Sequence, residues 1–208
     1  MARLSARDAA RWRALAGRVA GLVERALSPR VLANRVLGGG AGWVLEPVGP
    51  ALRRARAVGT GLAATGITLR TDIAAFYASV TPSILAGALR AVGARRGDAT
   101  VAGNLLEGWG SEGYGGLPIG PPSSAVMANA VLAGADRSLR RFPFVRWVDD
   151  YLVSVPHDRA VGEALDELDE ALAGLGLARS EGKTVVGEGD RGWLRPGSAA
   201  PAGRIAAP

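Results

Sequence analysis

The stretch that most constrains this chain is 144–155, where two short apolar runs, 144–148 and 151–155, are parted only by Asp149-Asp150. Runs that short, joined by residues that favour turns, pair as an antiparallel hairpin with both carboxylates at its tip. Residues 67–72 read as a further strand, and it too ends on an acid, Asp72. A sheet must bury a face, so the rest of the chain has to supply the helices that cover it.

The apolar periodicity supplies them. Trp12, Leu15, Val19, Leu22, Val23 and Leu27 recur at spacings of three and four, which predicts an amphipathic helix over 6–27 with an arginine-rich outer face, ending at Ser28-Pro29. Thr81-Pro82 is an N-cap followed by proline at the first helical position, opening a helix over 83–92. Asp98 caps a second helix through Trp109. Nine glycines and prolines then crowd between Gly108 and Pro122, and Ser123 or Ser124 starts a long helix to about Arg141. An acidic amphipathic helix spans 158–175, and 177–178 and 184–186 read as short closing strands. Arg53, Arg54 and Arg56 form a basic cluster ahead of Gly59 and Gly61. From Ile67 onward the order approximates the split βαββαβ arrangement: an α+β fold with an antiparallel sheet and helices on one face. The organisation expected is a basic helical region over 1–66, the sheet domain over 67–186, and a Gly/Pro/Ala-rich tail over 187–208 anchored by Trp193.

Composition narrows the chemistry. The 208 residues include no cysteine and one histidine, His157, which excludes thiol catalysis, disulfides and Cys- or poly-His metal sites. Of the 25 basic residues, 24 are arginine and one is Lys183. The net charge of +6 is uneven: +8 over 1–60, +1 over 61–156, −6 over 157–190 and +3 beyond. A basic front and an acidic rear suggest that one end faces a polyanion, although an Ala/Gly/Arg/Pro-rich chain also fits a GC-biased genome. No apolar run reaches about 18 residues and the first residues lack a signal-peptide pattern, so the expectation is a cytoplasmic protein without a membrane partner.

In such a sheet the 67–72 strand can lie beside the hairpin, bringing Asp72, Asp149 and Asp150 together although 77 positions separate Asp72 from Asp149. Gathered carboxylates repel one another unless cations sit between them. Oxygen ligands without Cys or His select Mg²⁺ or Mn²⁺, and two such ions clamp an in-line phosphoryl displacement. The chemistry expected is two-metal nucleotidyl transfer.

The surroundings of these acids resemble the reverse transcriptase family. Thr71-Asp72-Ile73-Ala74-Ala75-Phe76-Tyr77 looks like motif A. Gly116-Leu117-Pro118-Ile119-Gly120-Pro121-Pro122-Ser123-Ser124, continuing through Ala128-Asn129 and Leu132 to Asp136, resembles motif B. Arg146-Trp147-Val148-Asp149-Asp150-Tyr151 resembles motif C, with Trp147 in the aromatic place, and Leu175-Gly176-Leu177 with Glu181-Gly182-Lys183-Thr184 resembles motif D. The four cover 67–186, the palm, and look most like bacterial abortive-infection and phage-defence types, then group II intron and retron types.

The resemblance implies RNA-templated DNA synthesis, with antiviral defence as a setting. Asp72 and Asp149 would hold two Mg²⁺ or Mn²⁺ ions, with Asp150 and the Ile73 carbonyl in support. Tyr77, beside Phe76, would be the aromatic gate against a 2′-hydroxyl. Gly116, Pro118, Ile119 and Gly120 would let backbone approach the incoming nucleotide, and Trp147 would sit at the primer end. Lys183 would protonate the departing pyrophosphate. Arg35, Arg53, Arg54, Arg56 and Arg70 are candidates for template or triphosphate contacts. Ile119 departs from the glutamine common in the family. Only 22 residues follow Val186, leaving no recognisable thumb. The implied partners are therefore an RNA template, a DNA or protein primer, dNTPs, and either self-association or a partner protein that replaces the thumb. The competing reading is an accessory palm subunit of a larger nucleoprotein complex, weak or inactive as an enzyme.

Overall fold

The first helix, α1 (Ala6–Ala26), forms where the periodicity requires it: the Ser5 hydroxyl accepts from the Asp8 amide as N-cap, and Trp12, Leu15, Val19 and Val23 lie buried on one stripe. The computed structural model describes residues 4–189 and 192–194. Along it follow a two-residue ribbon, β1 (Val36–Leu37) with β2 (Val44–Leu45), then α2 (Val48–Ala63) and β3 (Ile67–Thr71). Next come a single turn α3 (Phe76–Ser79), α4 (Pro82–Ala91), α5 (Arg96–Ser111) and α6 (Pro122–Ser138). The hairpin β4 (Phe144–Trp147) and β5 (Asp150–Val155), α7 (Asp158–Ala173) and β6 (Val185–Glu188) complete the described chain. The class is α+β, with both sheets antiparallel.

The chain divides into two compact units. One comprises 4–28, 34–46 and 75–136. Its core is built on Trp12, which meets Trp109 edge-to-face at 5.3 Å and donates its indole N–H to Ser124 Oγ at 3.0 Å. In α6 every residue from Ser123 to Ala133 is buried, as in a helix enclosed on all sides. Thr81 caps α4 as its sequence demands, accepting from the Ile84 amide. Asp98, expected as the cap of α5, instead lies in its first turn; Arg95 holds the N-cap position and makes no side-chain capping bond.

The other unit comprises 29–33, 47–74 and 137 onward, and carries the four-stranded sheet in the order β4-β5-β3-β6. The two apolar runs do pair as a tight hairpin, Trp147 opposite Asp150. Val148 in the turn takes a left-handed φ of 58°. The strand β6 pairs with β3 through Leu69–Val186. The expected closing strand at 177–178 is only a bridge, Ile73 with Arg179.

Two differences have physical causes. Residues 53–56 belong to α2, which runs straight through Gly59 and Gly61. A Cβ on Gly59 would stand 2.6 Å from the Trp193 ring, so the glycine is where that indole and Leu152 press against the helix. Trp193 thus sits in a core with Leu32, Ala55, Val145 and Leu152. The sheet is accordingly not left open on one face along β5: both Leu152 and its neighbours Tyr151 and Val153 are fully buried, where helices on a single face were expected. Of the 187–208 tail, residues 190, 191 and 195–208 lie outside the described residues.

Candidate active site

Register brings the acids together. Thr71 pairs with Tyr151 in the β3–β5 ladder, so the next position along β3, Asp72, comes opposite Asp150, with Asp149 one residue further into the turn. The turn is held from behind by Arg146. That side chain is fully buried and donates from Nη1 to the Val148 carbonyl at 2.5 Å. Its own backbone is bridged to 29–33: the Arg146 amide donates to Arg30 O and its carbonyl accepts from the Leu32 amide, both at 3.0 Å. Arg146 lies inside the motif C resemblance, which gives it no role of its own. Its signal was an arginine in an otherwise apolar strand, where a charge survives only if fully bonded.

The segment after α7 is laced to the end of β3. The Ala74 amide donates to Ala178 O, and the Ser180 amide to Asp72 O. Thr71 and Thr184 share a hydroxyl hydrogen bond at 2.8 Å. Arg179 grips Asp169 through both carboxylate oxygens and also donates to Thr184 Oγ1. This lacing delivers Lys183, whose ammonium bonds Asp72 Oδ2.

The electrostatics follow from crowding. Burial pushes the Asp149 carboxyl above the usual carboxylate range; its own backbone hydrogen bond opposes this, while Asp150 and Asp72 add to it. Burial likewise raises Asp150, opposed by Arg70 and reinforced by Asp72. The hydrogen bond and charge of Asp72 hold the Lys183 ammonium more firmly protonated than usual. The second oxygen of Asp72, Oδ1, is buried without a hydrogen-bond partner. A buried carboxylate oxygen with nothing donating to it is a donor suited to a hard cation, so the residue types fit Mg²⁺ or Mn²⁺. Among the described residues, however, no three His, Cys, Asp or Glu side chains form a ready metal-holding group. Positive charge reaches Asp72 from Lys183 instead.

The remaining candidates in the first unit form a second cluster. Phe76 is buried and meets Tyr77 edge-to-face at 5.5 Å. The Tyr77 carbonyl accepts from the Leu117 amide at 2.7 Å. Gly116 has φ +81°, and a Cβ there would fall 2.2 Å from that same carbonyl. So close an approach, in a left-handed conformation, leaves glycine as the fitting residue. Gly120 also has a positive φ, Pro118 is half-buried, and Ile119 is 64% exposed. Trp147, in the sheet unit, packs against the Trp193 core.

The arginines named for nucleic-acid contact differ in where they lie. Arg35 is turned inward, pairing with Glu24 and donating to Ser28 O. Arg56 donates twice to Leu194 O. Arg70 faces Asp150 at 3.6 Å. Each satisfies a partner within its own unit, because a half-buried guanidinium needs acceptors close by. Arg53 and Arg54 are exposed along α2.

No family model and no curated protein matches the chain. Among solved structures it is similar to telomerase from Candida albicans, determined in complex with a TWJ fragment of telomeric RNA. The identity is 16% and the TM-score 0.44, over 68% of this chain and 30% of that one. A likeness at that level carries no argument about function, and the chain spans under a third of that protein's length. No described helix is long and apolar enough to cross a membrane.

Proposed function

We propose that this chain is a reverse transcriptase-like nucleotidyltransferase that adds dNTPs to a primer on an RNA template. In this reading 67–186 is the palm, 1–66 the fingers-like part and 187–208 a tail. The observation that carries the reading is the register that sets Asp72 against Asp150, with Asp149 in the adjoining turn and Lys183 on Asp72. Three acids concentrated at strand ends, two of them raised by burial and mutual charge, are costly for folding and useful for binding cations.

Asp72 and Asp149 would hold two Mg²⁺ or Mn²⁺ ions, with Asp150 and the Ile73 carbonyl in support. Bound there, the ions would supply Lewis acidity to the attacking 3′-oxygen and the leaving pyrophosphate. The chain's own residues do the rest. Arg146 fixes the turn that presents Asp149. Lys183 moves from Asp72 to the leaving group and gives it a proton, which an arginine at this position would do poorly. By the family resemblance, Tyr77 would be the gate against a ribose 2′-hydroxyl and Gly116 would admit backbone beside the nucleotide. A partner protein or a second copy would add to the grip on duplex.

One observation favours the second reading, an accessory palm without activity. Lys183 and Arg70 already neutralise Asp72 and Asp150. Incubating the purified protein with Mn²⁺ or Mg²⁺ and labelled dNTPs or rNTPs, with and without RNA template, beside Asp149→Ala, decides between them. The expected result is incorporation by the wild type alone. No incorporation under any combination, partners included, would leave the accessory reading; incorporation surviving Asp149→Ala would sink the site.

A further inference from the structure

With Arg35 turned inward, the exposed positive charge of the first unit lies elsewhere. A groove of about 1050 Å³ runs beside α1, closed by the glycine turn at 39–40 and by the loop before α5. Arg13, Arg18, Arg25 and Arg95 line it, all exposed, against a single acid, Asp98. Arg18 pairs with Asp98 at 2.6 Å, so three guanidiniums remain in excess of the groove's own acid. The floor is built to be close. A Cβ on Gly17 would come within 3.1 Å of both Trp43 and the Gly40 carbonyl, and the Arg25 guanidinium lies over Gly21. Arg13 stacks on the buried Trp43, 5.1 Å from the ring centroid, which sets its fork in place. At one end stands the N-terminus of α5, a 16-residue helix without a side-chain cap, whose amides also attract anions.

We propose that this groove binds the phosphodiester backbone of a single-stranded polynucleotide. From Arg13 to Arg25 the arginines follow α1 for about 18 Å of axis, the scale of a run of phosphates rather than of one phosphate group. Planar guanidiniums favour phosphate geometry, and a basic groove that follows the backbone is the common arrangement for strands bound without sequence preference. No exposed aromatic lines the groove, so the bases face outward and sequence preference is weak. The inference goes beyond the nucleotidyl-transfer reading and stands apart from it, because nothing in the groove needs Asp72, Asp149 or Asp150 to be catalytic.

The test is anisotropy of a labelled oligonucleotide of about 15 residues, as RNA and as DNA, over a salt series. Three proteins are compared: full-length wild type, Arg13→Ala/Arg25→Ala/Arg95→Ala, and Arg159→Ala as a charge control outside the groove. The triple variant should bind about 10-fold or more weakly. Its log affinity against log salt should flatten by about 2, since each lost phosphate contact on a single strand is worth roughly 0.7. Gly21→Leu, which fills the floor without changing charge and suits a helix, should also weaken binding. RNA bound better than DNA would assign the strand as RNA, equal binding would make the shared backbone the ligand, and either supports the site. Unchanged affinity and slope in the triple variant, a matching loss in Arg159→Ala, or equal binding of polyglutamate would overturn it. Asp149→Ala should bind as the wild type does, so failure of the groove and failure of the catalytic reading are told apart.

Discussion

Lys183→Met carries the sharpest prediction, because its two effects run in opposite directions. In the structure the Lys183 ammonium occupies Asp72 Oδ2, so any cation binding that carboxylate must first displace it. Two unit charges at about 4 Å interact by about 1 kcal/mol in water and about 4 kcal/mol near a protein surface. The Lys183 side chain is 67% exposed while Asp72 is 12% exposed, so solvent screening holds the pair toward the lower figure. Removing the ammonium should therefore tighten divalent-metal binding by about 1 kcal/mol, or roughly 5-fold. Mn²⁺ titration followed by electron paramagnetic resonance or calorimetry reads this directly, without turnover. Nucleotide incorporation should meanwhile fall by a factor of about 10² to 10⁴, as expected for loss of a general acid. Lys183→Arg should keep the weaker metal binding yet lose incorporation. If Lys183→Met binds Mn²⁺ no better than the wild type, the ammonium is not a rival for the metal and the reasoning fails.

Three further outcomes follow from the same geometry. Asp149 has a raised folded-state pKa, so the folded protein binds its proton more tightly than the unfolded chain does; stability is gained as pH falls through that range and lost as pH rises above 3.8. Asp149→Asn should thus be more stable than the wild type at neutral pH without metal, with the gap closing in acid, and equal urea midpoints at both pH values would refute it. Gly116→Ala should cost about 3 kcal/mol in urea unfolding, combining left-handed strain, displacement of the Tyr77 carbonyl and its bond to Leu117. Arg146→Met should cost about 2 kcal/mol by removing the bond to Val148 O and should speed amide exchange in the turn; unaltered exchange there would remove its holding role.

Much of the fold was legible because the signals are local. The spacing of Trp12 to Val23, Thr81-Pro82 and the acid pair between two apolar runs depend only on helical period, capping and turn chemistry. The acids could be placed at strand ends for the same reason. Other elements were hidden. No helix is delimited around Gly59 and Gly61 from the sequence, because nothing in the local sequence shows that an indole more than a hundred residues away fills the space Gly59 leaves.

The sequence by itself determined which side chains are on hand: carboxylates without cysteine or clustered histidine, in an antiparallel α+β frame, with one lysine in the chain. Tertiary structure decided how charge is spent. A guanidinium carries the same charge whether it caps a carbonyl, as Arg56 does, or faces water, as Arg25 does. Which of the two occurs depends on acceptors brought near by folding. Within the basic front noted in the sequence, Arg35 and Arg56 therefore turn inward to hold the fold, while Arg13 and Arg25 on α1 face water. The partner of Lys183 is settled in the same way. It is Asp72, 111 residues distant, and only the lacing of the segment after α7 onto the end of β3 brings the two together.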